Sequence, residues 1–167
     1  MRALVIYVAL SLGAVMVFAQ AKPAESPDAQ QVEADRLKAS AEASTGEACT
    51  EVCLEAAQKL TELSNQNFTD GHVDIAQGFM RDAGRYAEKA GNESINSHKR
   101  QKKTEIGLRK LTKRMKDIEE TLNFEDRPPV EQIVKSIESV RENLLSSMFG
   151  NPKKTFGQPE EKKKEKQ

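Results

Sequence analysis

The stretch VDIAQGFMRDAGRYAEKAGNESINSHKRQKKTEIGLRKLTKRMKDIEETL, Val73 to Leu122, contains no proline and carries one unbroken alternation in steps of three and four. The alternating positions are Val73, Ala76, Met80, Ala83, Ala87, Ala90, Ser94, Ser97, Gln101, Thr104, Leu108, Leu111, Met115, Ile118 and Leu122. That spacing places them on one seam, and it predicts a single long helix of about 75 Å at 1.5 Å per residue. The seam is small and apolar at its start, polar from Ser94 to Thr104, and large and apolar at its end. Two packing surfaces are therefore expected, separated by a section with nothing to bury. Gly91-Asn92 is the expected weak point, because a helix-interior glycine costs about 1 kcal/mol relative to alanine. The register survives across it, so one continuous helix, with or without a kink at Gly91, is the expectation rather than two separate helices.

Partners for the two surfaces lie on either side. Upstream, Ser44-Thr45-Gly46-Glu47 reads as a helix start, with Ser44 or Thr45 capping free backbone N–H groups. The helix that follows carries Cys49, Cys53, Ala56, Leu60 and Leu63 at 4-3-4-3 spacing, a face for the small end of the seam. Its turn runs from Asn65 to His72, with Gly71 suited to a left-handed backbone. Downstream, Asn123 to Pro129 ends the long helix, Asp126 is a candidate cap, and Pro128-Pro129 suits a first turn. Val130, Ile133, Ile137, Val140, Leu144 and Met148 then match the large end of the seam. The expected fold is all-α: two antiparallel helical hairpins sharing one long central helix, packed like a coiled coil and followed by a disordered tail.

Leu60, Leu63, Phe68, Gly71, Val73, Ala76, Met80 and Ala83 also fall at tetratricopeptide-repeat spacing. Residues 56–90 thus resemble a single degenerate repeat of that family, with Ser64 where the family carries glycine. The resemblance implies two antiparallel helices meeting through Ala76 and Ala83, and a protein-contact role.

The flanks set the organisation. Arg2, an apolar run from Ala3 to Phe18 and Ala19-Gln20-Ala21 have the form of a signal peptide over 1–21, with Lys22 as the mature N-terminus. An exported protein, periplasmic or extracellular, is the expectation. Residues 22–44 read as a flexible or marginally helical linker. Pro23 and Pro27 break up Lys22 to Gln30, and the stretch beyond has only Val32 and Leu37 as large apolar residues. Residues 45–149 form the hairpin domain, and 150–167 a charged, lysine-rich disordered tail.

The formal net charge is +0, with 31% charged residues, 5% aromatics and no Trp, a composition suited to helical hairpins rather than a large globular core. The charges are segregated, however. Lys99, Arg100, Lys102, Lys103, Arg109, Lys110, Lys113, Arg114 and Lys116 face the single acid Glu105 between His98 and Lys116. This basic stripe is either a solvated helix face or a binding surface for an anionic partner. It lacks aromatic stacking groups, so nucleic acid is not the expected ligand.

Cys49 and Cys53 are the only cysteines. Three readings stay open: small packing residues, a disulfide within or between chains, and half of a metal site. Haem attachment is excluded because the spacing is C-x-x-x-C and Leu54 follows. No G-x-S-x-G, H-E-x-x-H or phosphate-binding glycine loop occurs, so neither an enzyme nor a cofactor is expected. Asn67-Phe68-Thr69 and Asn92-Glu93-Ser94 match the glycosylation pattern. The expected function is that of a non-enzymatic interaction or scaffold protein binding another protein or itself. The alternative is an envelope polyanion- or anionic-lipid-binding protein using the stripe.

Overall fold

Polar residues in the middle of an otherwise apolar seam have carbonyls to satisfy, and in this chain they satisfy those of a turn. The computed structural model describes residues 27–150, and in it the 73–122 stretch folds back on itself at His98–Arg100. Ser94 Oγ donates to the Lys99 carbonyl at 2.7 Å. The Thr104 backbone N–H (2.9 Å) and hydroxyl (3.1 Å) both donate to the Arg100 carbonyl. Ser97 Oγ donates to Glu93 O and accepts from the Lys99 N–H. Ser94 and Thr104 are both buried. His98 and Arg100 take left-handed φ values of 53° and 54°, which reverses the chain within three residues.

The single long helix expected from the seam is therefore two helices, and the two hairpins lie side by side rather than end to end. The elements are α1 Pro27–Ala43, α2 Gly46–Thr69, α3 Val73–Ser97, α4 Gln101–Thr121 and α5 Arg127–Phe149. The architecture is all-helical, as expected, and α2–α3 and α4–α5 are antiparallel pairs. Folding back also sets α3 alongside α5 and α2 alongside α4, each running in the same direction.

Glycine placement explains those extra interfaces. A Cβ at Gly84 would lie 2.6 Å from Ile133 Cγ2, and one at Gly91 would lie 2.3 Å from Val140 Cγ1. Two glycines one heptad apart on α3 thus admit two branched side chains one heptad apart on α5. Gly107 does the same for Leu54, bringing α4 onto α2. Gly91 is a packing position inside α3, and the break in the long seam falls at His98–Arg100 instead. Ser136 Oγ of α5 donates to Glu88 on the same flank of α3.

The seam itself packs as expected: Ala76, Met80, Ala83, Ala87 and Ala90 are buried in α3, and Leu108, Leu111, Met115 and Ile118 in α4. Tyr86, Leu60, Met80, Leu108, Met115, Ile137 and Leu144 are the largest fully buried apolar side chains. Each such burial stabilises the fold by about 1.5–3 kcal/mol.

The 22–44 linker is corrected in part. Helix α1 begins at Pro27, inside the stretch expected to be linker, and it docks on α2 and α3 through Ala34 and Ala41, both fully buried. Polar contacts make up for its few large apolar residues. Lys38 pairs with Asp82 at 2.7 Å, Glu42 meets Arg85 at 3.2 Å, and the Tyr86 hydroxyl donates to Glu42 at 3.1 Å. Asn67 Nδ2 donates to Gln30 Oε1 at 2.7 Å at the other end of α1.

Two expected caps are also corrected. Thr45 and Asp126 occupy the N-cap positions of α2 and α5 but make no side-chain cap bond, and Ser44 Oγ turns back to Ser40 O. Glu93 of α3 accepts from the Gly46 N–H at 3.1 Å and serves the α2 terminus from 47 residues away. Gly71 does adopt a left-handed φ of 80° in the α2–α3 turn. Residues 1–21, expected to be a signal peptide, and residues 151–167 of the expected tail lie outside the described residues. No helix among the described residues is long and apolar enough to cross a membrane.

Candidate binding face on α4

Because α4 is an amphipathic helix laid against α2 on one flank and α5 on the other, its basic residues divide into three groups. Those on the α2 flank meet a row of acids spaced four apart on that helix, Glu47, Glu51 and Glu55. Arg100 bridges Glu47 at 3.0 Å and Glu51 at 2.8 Å, and Lys103 reaches Glu51 at 2.6 Å. The hydrogen bond from Lys103, followed by the Arg100 charge, holds the Glu51 carboxyl below its usual range. On the α5 flank, Lys116 pairs with Glu138 at 2.6 Å. Glu105 is taken by Arg141 of α5 at 2.8 Å and approached by Arg109 at only 4.0 Å.

The third group faces away from the bundle. Lys102, Lys110, Lys113 and Arg114 are exposed and make no ion pair among the described residues, and Lys99 in the turn is likewise exposed and unpaired. At 3.6 residues per turn these four positions of α4 span an arc of about 120°, opposite the buried Leu108 and Met115. Asp117 and Glu120 follow toward the C-terminal end of the helix. Lys110 and Arg114 also form one wall of a shallow cleft of about 280 Å³, completed by Gln58, Thr61, Glu62 and Leu111. A second cleft of about 200 Å³ opens further along the α2–α4 junction, beside the Arg100–Glu51–Lys103 cluster.

The nine basic residues read as one stripe thus do different work. Arg100, Lys103 and Lys116 hold helices together, although exposed pairs of this kind contribute only about 0–1 kcal/mol each. Of their partners, Glu47 figured in the sequence only as part of a helix start, and Glu51 and Glu138 went unremarked. The i, i+4 spacing of acids on α2 was the signal that could have found the first two.

Cys49 and Cys53 are buried free thiols on α2, with their Sγ atoms 2.7 Å apart. Among the described residues, no group of three or more His, Cys, Asp or Glu side chains is arranged to hold a metal ion. His72 stands at the start of α3 and His98 in the α3–α4 turn. Of the two glycosylation patterns, Asn67 is buried, with its amide donating to Gln30 and to Leu63 O, while Asn92 is exposed.

The chain matches no family model, and comparison with curated proteins and with solved structures gives no match.

Proposed function

We propose that this is an exported, non-enzymatic helical interaction protein whose working surface is the outward face of α4, and that this surface takes an anionic partner. The observation that carries the reading is the unpaired, exposed set Lys102, Lys110, Lys113 and Arg114. The bundle has enough acids to neutralise its basic neighbours, yet these four project where no internal partner reaches them. A rigid helix presenting like charges at fixed spacing suits a polyanion or an anionic lipid surface, whose phosphate or carboxylate groups repeat. Such binding releases counterions and weakens as salt rises.

The test is co-sedimentation of the mature protein with vesicles containing phosphatidylglycerol, and in parallel with a soluble polyphosphate, between low and physiological salt. Binding that falls steeply with salt, and that is lost when Lys102, Lys110, Lys113 and Arg114 are all changed to Gln, supports the proposal. Changing Arg100 and Lys103 to Gln instead should affect the melting temperature more than binding. A wild-type protein that binds neither anion at low salt overturns the reading.

A further inference from the structure

A dithiol that serves only as packing has no need for its sulfurs to touch, and here they do. Cys49 Sγ and Cys53 Sγ approach to 2.7 Å, closer than ordinary contact between two sulfur atoms and with no bond between them. Both side chains are fully buried, and the end of α1 lies against the pair at Cys53: its thiol points at the Ala41 carbonyl at 3.6 Å, and Ala41 itself is fully buried. The same carbonyl accepts from Lys89 Nζ at 2.8 Å, so an ammonium group lies close to the thiol pair.

We propose that Cys49 and Cys53 form a reversible dithiol/disulfide couple, a stoichiometric thiol–disulfide exchange site that takes small disulfides as its oxidant and that α1 covers. In the exchange, the thiolate of one cysteine attacks a sulfur of the incoming disulfide, forming a mixed disulfide and expelling one thiolate. The second cysteine then attacks the protein sulfur of that mixed disulfide, closes the Cys49–Cys53 bond and expels the other. The protein loses two protons and two electrons, and the external disulfide becomes two thiols. Closing a bond between residues four apart distorts a regular helix, and strained disulfides are the easily reduced ones, so the couple runs in both directions.

With α1 docked the site is silent. Burial, reinforced by the hydrogen bond to Cys49, pushes the Cys53 thiol up to about 12, so Cys53 stays protonated at neutral pH, and with α1 docked an incoming disulfide cannot reach the buried pair. Reactivity therefore follows the undocking of α1. The helix is suited to move: among the described residues its fully buried apolar side chains are the small Ala34 and Ala41, with Leu37 half-buried beside them, its ion pairs to α3 are partly exposed, and Gly46 ends its connection to α2 at a left-handed φ of 61°.

The experiment treats the mature protein with oxidised glutathione at pH 8 and follows intact mass with maleimide blocking of free thiols. The expected result is that both thiols disappear together, with the monomer losing two hydrogens, and that dithiothreitol restores them. The variant Lys38→Gln/Glu42→Gln, which loosens α1 by removing the charges that pair it with α3, should react about fivefold faster, as about 1 kcal/mol of easier opening dictates. Cys49→Ser should instead retain glutathione on Cys53, because nothing remains to displace it. A pair that stays reduced in both wild type and the loosened variant overturns the proposal, as does a wild type that keeps a stable glutathione adduct or forms disulfide-linked dimers.

Discussion

Replacing Gly91 by alanine separates two opposite expectations. In an exposed helix interior the change removes the conformational cost of glycine and stabilises by about 1 kcal/mol. In the folded bundle the new Cβ would sit 2.3 Å from Val140 Cγ1 and 3.3 Å from Leu108 Cδ1, where carbon atoms pack best at about 3.5–4.0 Å. Val140 is β-branched and holds one χ1 rotamer in a helix, so it does not swing away, and α3 and α5 must part instead. Overpacking of this kind costs about 1–3 kcal/mol, which outweighs the gain and makes Gly91→Ala a net loss of about 1 kcal/mol. Gly78, also inside α3, has nothing within 4 Å of its would-be Cβ, so Gly78→Ala keeps the full gain. The two variants should differ by about 2 kcal/mol, or about 8 °C in melting temperature for a domain of this size, on opposite sides of wild type. In a Val140→Ala background the penalty at Gly91 should vanish, because the overlapping methyl group is gone. Thermal and urea melts of the five proteins read this directly. If Gly91→Ala stabilises as much as Gly78→Ala, α3 and α5 are not in contact and the side-by-side arrangement is wrong.

The left-handed turn residue gives a ranking: in melts, stability should fall in the order His98→Gly, wild type, His98→Val, with each step about 0.5–1 kcal/mol, whereas an uninterrupted helix would make glycine the least stable. Ala83 is fully buried in the small part of the seam, so Ala83→Leu should cost about 1–3 kcal/mol, and coincident melts would remove the close α2–α3 approach. Burial raises Cys53 from 9.0 and Tyr86 from 10.0, each to about 12, so the folded state holds protons that the unfolded state has released. Stability should therefore be level from neutral pH to about pH 8.5 and fall from there to pH 12, with Cys53→Ala shallowing the slope in pH-dependent urea melts. Mass spectrometry of protein secreted from the full-length chain should find Lys22 as its first residue, and an N-terminus at Met1 would refute export by cleavage.

Local pattern settled much of this molecule. The 3-4 spacing of Ala76 to Leu122 and of Val130 to Leu144 determined which faces are buried, since helical periodicity depends only on neighbours along the chain. Gly71 and the Asn123–Pro129 punctuation placed two turns for the same reason. The gathering of nine Lys and Arg residues between Lys99 and Lys116, with Glu105 as the single acid among them, was legible too.

What the sequence left undecided depends on residues far apart in the chain. A register that continues through Ser94 and Thr104 looks like one helix until their hydroxyls and amide are seen to bond the Lys99 and Arg100 carbonyls of a reversal. A glycine such as Gly91 looks like a weakness until Val140, 49 positions on, fills the space it leaves. The same holds for charge and for the cysteines. Only the tertiary fold decided that Glu51 would neutralise Arg100 and Lys103 while leaving Lys110 and Arg114 to solvent, and that the end of α1 would lie against Cys53. Periodicity records which side of a helix is apolar, but the choice of neighbour on that side rests on shape and charge complementarity between distant segments.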